Sequence, residues 1–439
     1  MLRRAVSVCT LILTILLPGT YAWAEDDLYQ FTPADIEFLS QFNIGNLGTP
    51  PEAPDNQWAD NEEAAEFGKA LFFDRRLSKN QQVSCSHCHQ PEQYFTDGLA
   101  HSQGIGQTRR SAPTILGIAY SPWLFWDGRK DSLWAQALAP MEHPDEHGLS
   151  RAELAKKVLE YYPQQYSKLF GKTESEQPDW DDVDFPASPN GSETALENWE
   201  DLDQEDQKAI NRIFTNMGKS LMAYQRMLTL PPAPFDGFIA ALKDNQMEKA
   251  KELMSPSQIR GLRLFMGKAN CASCHNGPLF TNHEFHNIGV PEANTEHVDL
   301  GRYEGVNLLR EDEFTCLSPF SDASKNECKE MRFLKTQGPE LVGAIKTPTL
   351  RNIAATSPYM QAGQFDTLQQ VLNHYNKPSP PFYDRKQHPS RPHFDVLPLN
   401  LQESDLQDIE AFLHSLTSPL PKDDPWWPVE DKQVTQNHP

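Results

Sequence analysis

The stretches Cys85-Ser86-His87-Cys88-His89 and Cys271-Ala272-Ser273-Cys274-His275 decide what kind of chain this is. In a Cys-x-x-Cys-His run the two thiols can add to the vinyl groups of a haem, and the adjacent histidine then sits where it can bind the iron. Cys85, Cys88, Cys271 and Cys274 are therefore the expected attachment points of two haem c groups, with His89 and His275 as proximal iron ligands. Zinc is the main competitor for paired cysteines. The two pairs lie far apart in the chain, which does not suit a compact zinc module, and each carries the histidine in the haem position. A thiol–disulfide redox pair would account for one Cys-x-x-Cys, not for two that are each followed by His.

Working outward, the flanks of the two motifs also repeat. Phe67-Gly68-Lys69-Ala70-Leu71-Phe72 precedes the first, and Arg260-Gly261-Leu262-Arg263-Leu264-Phe265 precedes the second. Phe95-Thr96-Asp97 and Phe280-Thr281-Asn282 follow at nearly equal distances. Such self-similarity implies a duplicated cytochrome c module. The apolar periodicity is helical: Ser255 and Pro256 open a segment with Ile259, Leu262 and Phe265 on one face. Ile210, Ile213, Phe214, Met217 and Leu221 line a second helix, and Leu406, Ile409, Phe412, Leu413 and Leu416 a third. No convincing run of alternating strand residues occurs.

The expected fold class is therefore mostly α, with two cytochrome c-like domains, each holding one covalent haem, joined at an interdomain interface. The expected division is a signal peptide at 1–24, an N-terminal haem domain at 25–240 and a C-terminal haem domain at 241–402. A helix and tail at 403–439 are expected to pack back on the N-terminal domain. Residues 172–206, acidic and broken by Pro178, Pro186 and Pro189, predict a solvated surface insertion.

The address follows from the first residues. Arg3 and Arg4, the apolar run Ala5 to Leu17 and the Ala22-Trp23-Ala24 site predict export, with cleavage after Ala24 and a periplasmic protein without a membrane span. A net charge of −22 over 439 residues, made more negative by losing the two arginines, argues against a nucleic acid partner. Of the seven cysteines, Cys9 leaves with the signal, and Cys316 and Cys328 remain as a local disulfide in an oxidising compartment.

Phe125-Trp126-Asp127-Gly128-Arg129, Asp299-Leu300-Gly301-Arg302-Tyr303, Thr347-Pro348-Thr349-Leu350-Arg351-Asn352 and Pro358-Tyr359-Met360 carry a resemblance over essentially the whole mature chain. The sequence resembles the bacterial diheme cytochrome c peroxidase and MauG superfamily. That resemblance implies an N-terminal haem that reacts with hydrogen peroxide and a C-terminal haem that stores or relays electrons. It implies Glu146 and Gln136 as the catalytic pair of the peroxide pocket, with Pro140 between them, and Trp126 as a relay between the haems. The loop that carries a capping histidine in the peroxidases is Gly104-Ile105-Gly106 here, so the first haem is expected to be open.

For the second haem the resemblance implies Tyr375 as the distal ligand, as in the MauG branch, because no Met follows Met360. His374 is a rival for that place. A calcium ion between the domains is implied too, with backbone carbonyls of Thr356 and Pro358, although the usual Asn is Ser111. Two further departures are Ala269, where MauG itself holds a surface tryptophan, and Gln361, where a His is usual. His143 and His147, four apart, offer an alternative metal site, whereas His283-Glu284-Phe285-His286 does not match the zinc-protease pattern. The expected activity is oxidation of a protein partner by peroxide. The alternatives are peroxide removal with electrons from a small cytochrome c or cupredoxin, and a plain electron carrier with both haems capped.

Overall fold

Helix crossings built on two glycines set the architecture. A computed structural model describes residues 28–171, 178–291, 293, 298–378 and 396–429. The helix Glu62–Phe73, capped by the Asn61 side chain on the Ala64 N–H, crosses the long helix Gln204–Arg226 at Gly68. A Cβ on Gly68 would overlap the Ser220 carbonyl. The helix Pro256–Met266, with Ser255 and Gln258 forming a capping box, crosses Glu403–His414 at Gly261, where a Cβ would overlap the Asp408 carbonyl. The absence of a side chain lets the backbones approach this closely.

The same aromatic triad fills each crossing. Phe72 lies 6.3 Å from Phe95 and 5.1 Å from Tyr224 between ring centroids. Phe265 lies 6.0 Å from Phe280 and 5.1 Å from Phe412. The repeat continues beyond the motifs. Pro113 and Pro348, Phe125 and Met360, Gly128 and Gly363, and Ser132 and Thr367 are pairs the same distance apart in the chain. Phe125 and Met360 share a positive φ of 67° and 71°, and Ser132 and Thr367 each open a helix, Leu133–Glu142 and Leu368–Asn376. The fold is mostly helical. Among the described residues the only paired strands are Phe285–His286 and Ile345–Lys346, antiparallel. No described helix is long and apolar enough to cross a membrane, and the expected signal at 1–24 lies outside the described residues.

The two cores divide the chain differently from the expected boundaries. Leu228 belongs to the first core and Phe235, Phe238 and Ile239 to the second, so the change falls in the proline-rich stretch 231–234, earlier than residue 240. The second core also takes Leu28, Tyr29, Leu39 and Phe42 from the start of the described chain. Helix Glu403–His414 packs in the second core, and only the tail returns to the first. There Trp427 is buried and its Nε1 donates to the Pro91 carbonyl at 2.9 Å. The described part of 172–206 is not a purely solvated insertion. Val183, Ala187, Ala195, Trp199 and Leu202 are buried, and Glu193–Glu200 is helical. Its apolar residues are too sparse among acids to form a visible stripe, yet they seat on helix Arg151–Tyr161, whose Ala152 N–H donates to Ala187.

A segment of the second half reaches the other way. Phe314 sits against Trp134 and Phe214, and Glu313 pairs with the fully buried Arg151 at 2.7 Å. The Cys316–Cys328 disulfide closes this arm. Arg110 ties the halves by an ion pair to Asp299 at 2.7 Å, while it also holds Asp127 of its own half at 2.6 Å.

Because each glycine faces backbone, not a side chain that could swing away, Gly68→Ala or Gly261→Ala should cost about 1–3 kcal/mol or more. Chemical denaturation of each variant checks this; a loss under 0.5 kcal/mol, the range of ordinary surface changes, would show that the crossings are not so tight.

Candidate functional site

Each Cys-x-x-Cys-His run folds as one tight turn that ends on its histidine. Cys85–Cys88 is a single helical turn, and the His89 N–H closes it on the Cys85 carbonyl at 2.9 Å. Cys271–Ser273 does the same, with the His275 N–H on Cys271 at 2.9 Å. The chain then doubles back through left-handed residues, Tyr94 and Phe95 in the first half and Phe280 in the second. This brings the Phe95 carbonyl 3.1 Å from His89 Nδ1 and the Phe280 carbonyl 3.0 Å from His275 Nδ1. A carbonyl only accepts, so each Nδ1 carries the proton and each Nε2 keeps its lone pair free for a metal. Burial pushes both rings below the ordinary histidine value, His275 to about 4, which keeps them neutral and able to bind iron.

The residues present fit two covalently held haems better than zinc. Burial pushes Cys85, Cys88 and Cys271 up to about 12, which keeps these thiols neutral. No described group of three His, Cys, Asp or Glu side chains gathers as a metal site. The alternative pair His143 and His147 does not converge either: His147 is buried with Nδ1 on the Leu77 carbonyl at 2.9 Å, while His143 is exposed beside Glu146. Cys271, Cys274, His275 and Tyr375 instead line one cleft, of about 230 Å³, together with Trp126 and Lys346.

Around the first motif, Gln136 stands half-buried on helix Leu133–Glu142, and Glu146 follows in the turn beyond it. The loop 104–106 is laced to that turn. Ile105 N–H donates to the Glu146 carbonyl at 3.1 Å, and Gly106 N–H to Asp145 at 2.9 Å. Burial pushes the Glu146 carboxyl above its ordinary 4.5, against the opposing pull of His143 and Arg129. Its charge is felt by both Cys85 and Cys88, which places it beside the first attachment site.

At the second motif the structure separates Tyr375 from its rival. The Tyr375 hydroxyl is driven up by burial and by the nearby sulfurs of Cys271 and Cys274. His374 points elsewhere, with Nε2 2.9 Å from the Ile288 carbonyl. The chain repeat also aligns Tyr375 with Pro140, so the same helix offers a phenol in one half and no ligand atom in the other.

Trp126 lies at the seam. Its Nε1 donates to the Ser111 carbonyl at 3.0 Å, and its own carbonyl accepts from Lys346 N–H at 2.9 Å. Thr356, Pro358 and Ser111 line the same cleft as Asp97. Ser111 N–H donates to the Gln361 carbonyl at 2.9 Å, and the buried Oδ2 of Asp97 has no hydrogen-bond partner among the described residues. Sequence alone did not single out Lys346 or the two phenylalanine carbonyls, because backbone acceptors and a lone lysine carry no motif signal of their own.

A family model described as di-haem cytochrome c peroxidase matches residues 62–244. The chain is 32% identical over 359 residues to the methylamine utilization protein MauG of Methylorubrum extorquens, covering 81% of this chain and 78% of that protein. It is 29% identical over 397 residues to the cytochrome-c peroxidase IdrP1 of Denitromonas iodatirespirans, covering 88% and 89%. Among solved structures, the diheme peroxidase BthA from Burkholderia thailandensis has a TM-score of 0.57 at 23% identity, over 81% of this chain and 86% of that one, a likeness of fold.

Proposed function

The chain belongs to the di-haem cytochrome c peroxidase and MauG family, and from that premise we propose that it takes hydrogen peroxide at the His89 haem and spends the oxidising equivalents on a periplasmic protein partner. It is a haem-peroxidase-type enzyme, and two haem c groups are the family's cofactors. Bound haem supplies the iron at which peroxide is held and the capacity to pass electrons. Within the proposal, Glu146 takes a proton from one peroxide oxygen and returns it to the other, and the Gln136 amide orients the bound molecule. Trp126, large and oxidisable, would carry electrons across the seam, and the Tyr375 phenol would supply an oxygen to hold the second haem. A calcium ion held by the Thr356 and Pro358 carbonyls belongs to the same proposal, supported by the orphaned Asp97 oxygen facing that cleft.

The observation that carries this reading is the asymmetry at equivalent places in the two repeats, Pro140 in one and Tyr375 in the other. An oxygen ligand suits oxidised iron, so the second site fits a store of oxidising equivalents better than a donor kept reduced. A second reading, peroxide removal with electrons from a small cytochrome c or cupredoxin, is favoured by Ala269. This residue is buried and offers no surface aromatic through which a partner could be oxidised.

Tyr375→Phe should alter the optical and EPR signature of one haem and leave the other as it is. Unchanged spectra would remove the ligand assignment. Glu146→Gln should slow the stopped-flow reaction with peroxide by about 10²–10⁴-fold while both haems stay attached, and near-wild-type rates would refute the role. Because Glu146 titrates above the ordinary 4.5, its base form is lost as pH falls through that raised value. The wild-type rate should therefore drop on an acid limb lying above the usual carboxylate range, and the Gln variant should lack that limb.

A further inference from the structure

Most buried cations of this protein come with carboxylates, Arg302 rests on the Asp127 and Gly128 carbonyls between the Trp123 and Phe285 rings, and the half-buried Lys346 has neither kind of setting. Arg351 pairs with Asp236, Arg151 with Glu142 and Glu313, Lys130 with Asp312 and Lys219 with Asp322. Lys346, at the end of the short strand Ile345–Lys346, donates from Nζ to the Ser121 hydroxyl at 2.8 Å and meets no carboxylate among the described residues. Taking an ammonium out of water without a counter-charge is costly. Burial alone pushes this one down to about 8, with no opposing charge to hold it up. His283 lies close enough to feel the ammonium, and burial and that charge push it to about 4, so it stays neutral and supplies no anion.

The position of this ammonium says what would complete it. Lys346 lines the cleft that holds Cys271, Cys274, His275 and Tyr375, and Trp126 lines it too. Both anchors of Lys346, Ser121 and the Trp126 carbonyl, belong to the other half of the chain. The haem expected in that cleft brings two carboxylates of its own, its propionates. We infer that Lys346 is the counter-ion of a propionate on the haem carried by His275, holding that haem's charged edge at the seam beside Trp126. Lys346 is then a positioning residue, and its charge favours the reduced state of that haem. The inference rests on haem attachment at Cys271 and Cys274, not on how peroxide is used.

Lys346→Gln and Lys346→Arg in the full holoprotein test it, with haem content measured first and each haem's potential then read by optical redox titration. With two haems still attached, the Gln variant should lower the potential of one haem, shifting its reduced-to-oxidised ratio at fixed poise by about tenfold, or 59 mV for one electron. The Arg variant should stay near wild type. Potentials unchanged in the Gln variant would overturn the inference. If the Gln variant does not accumulate with two haems, a crystal structure of the wild-type holoprotein decides. A propionate oxygen within hydrogen-bond distance of Nζ supports the pairing, and Nζ bound only to Ser121 and water overturns it.

Discussion

One hydrogen bond, made twice, fixes the chemistry that the rest of the molecule is arranged around. His89 Nδ1 donates to Phe95 and His275 Nδ1 to Phe280, at 3.1 and 3.0 Å. Each bond sets the tautomer and the ring orientation, and leaves the Nε2 lone pair free for a metal. Each depends on a left-handed backbone turn, which in turn is held by the phenylalanine ring packed into the helix crossing behind it. Glycine at the crossing, aromatic triad, bent loop and oriented imidazole thus form one mechanical chain, present in both halves.

Duplication of the frame makes its departures informative. Where the scaffold is equivalent, a difference in side chain is a difference in chemistry and not in geometry. The helices Leu133–Glu142 and Leu368–Asn376 carry Pro140 and Tyr375 at equivalent places, and the loop at 104–106, laced to the turn of Glu146, carries Ile105, which has no ligand atom. The arm that carries Phe314 and the disulfide, and the Arg110–Asp299 ion pair, bind the halves together, so the seam with Trp126 is a packed interface and not a loose hinge.

Much of this was legible in the sequence for physical reasons. Covalent attachment demands a fixed spacing of thiols and imidazole, so the two motifs declared themselves. The glycine and aromatic flanks repeated because the same crossing is built twice. The boundaries were less legible. Pro234 looks like the end of an element, yet it starts a helix whose Phe235 and Phe238 are drawn into the second core, and nothing local reveals which core an apolar stripe will join. Trp199 and Ala187 were hidden among acids because a few apolar residues can seat on a neighbouring helix without forming a periodic face. Lys346 was invisible for a further reason: its significance lies in the carboxylate it lacks, which only three-dimensional packing discloses.

The central claim is that two equivalent frames hold two inequivalent haems that share oxidising equivalents. The most direct measurement adds one equivalent of hydrogen peroxide to the resting, fully oxidised protein and follows the optical bands of both haems in a stopped-flow instrument. The account predicts that both sets of bands change together, without prior reduction. A change confined to the His89 haem, or no reaction until an electron has been supplied, would contradict it.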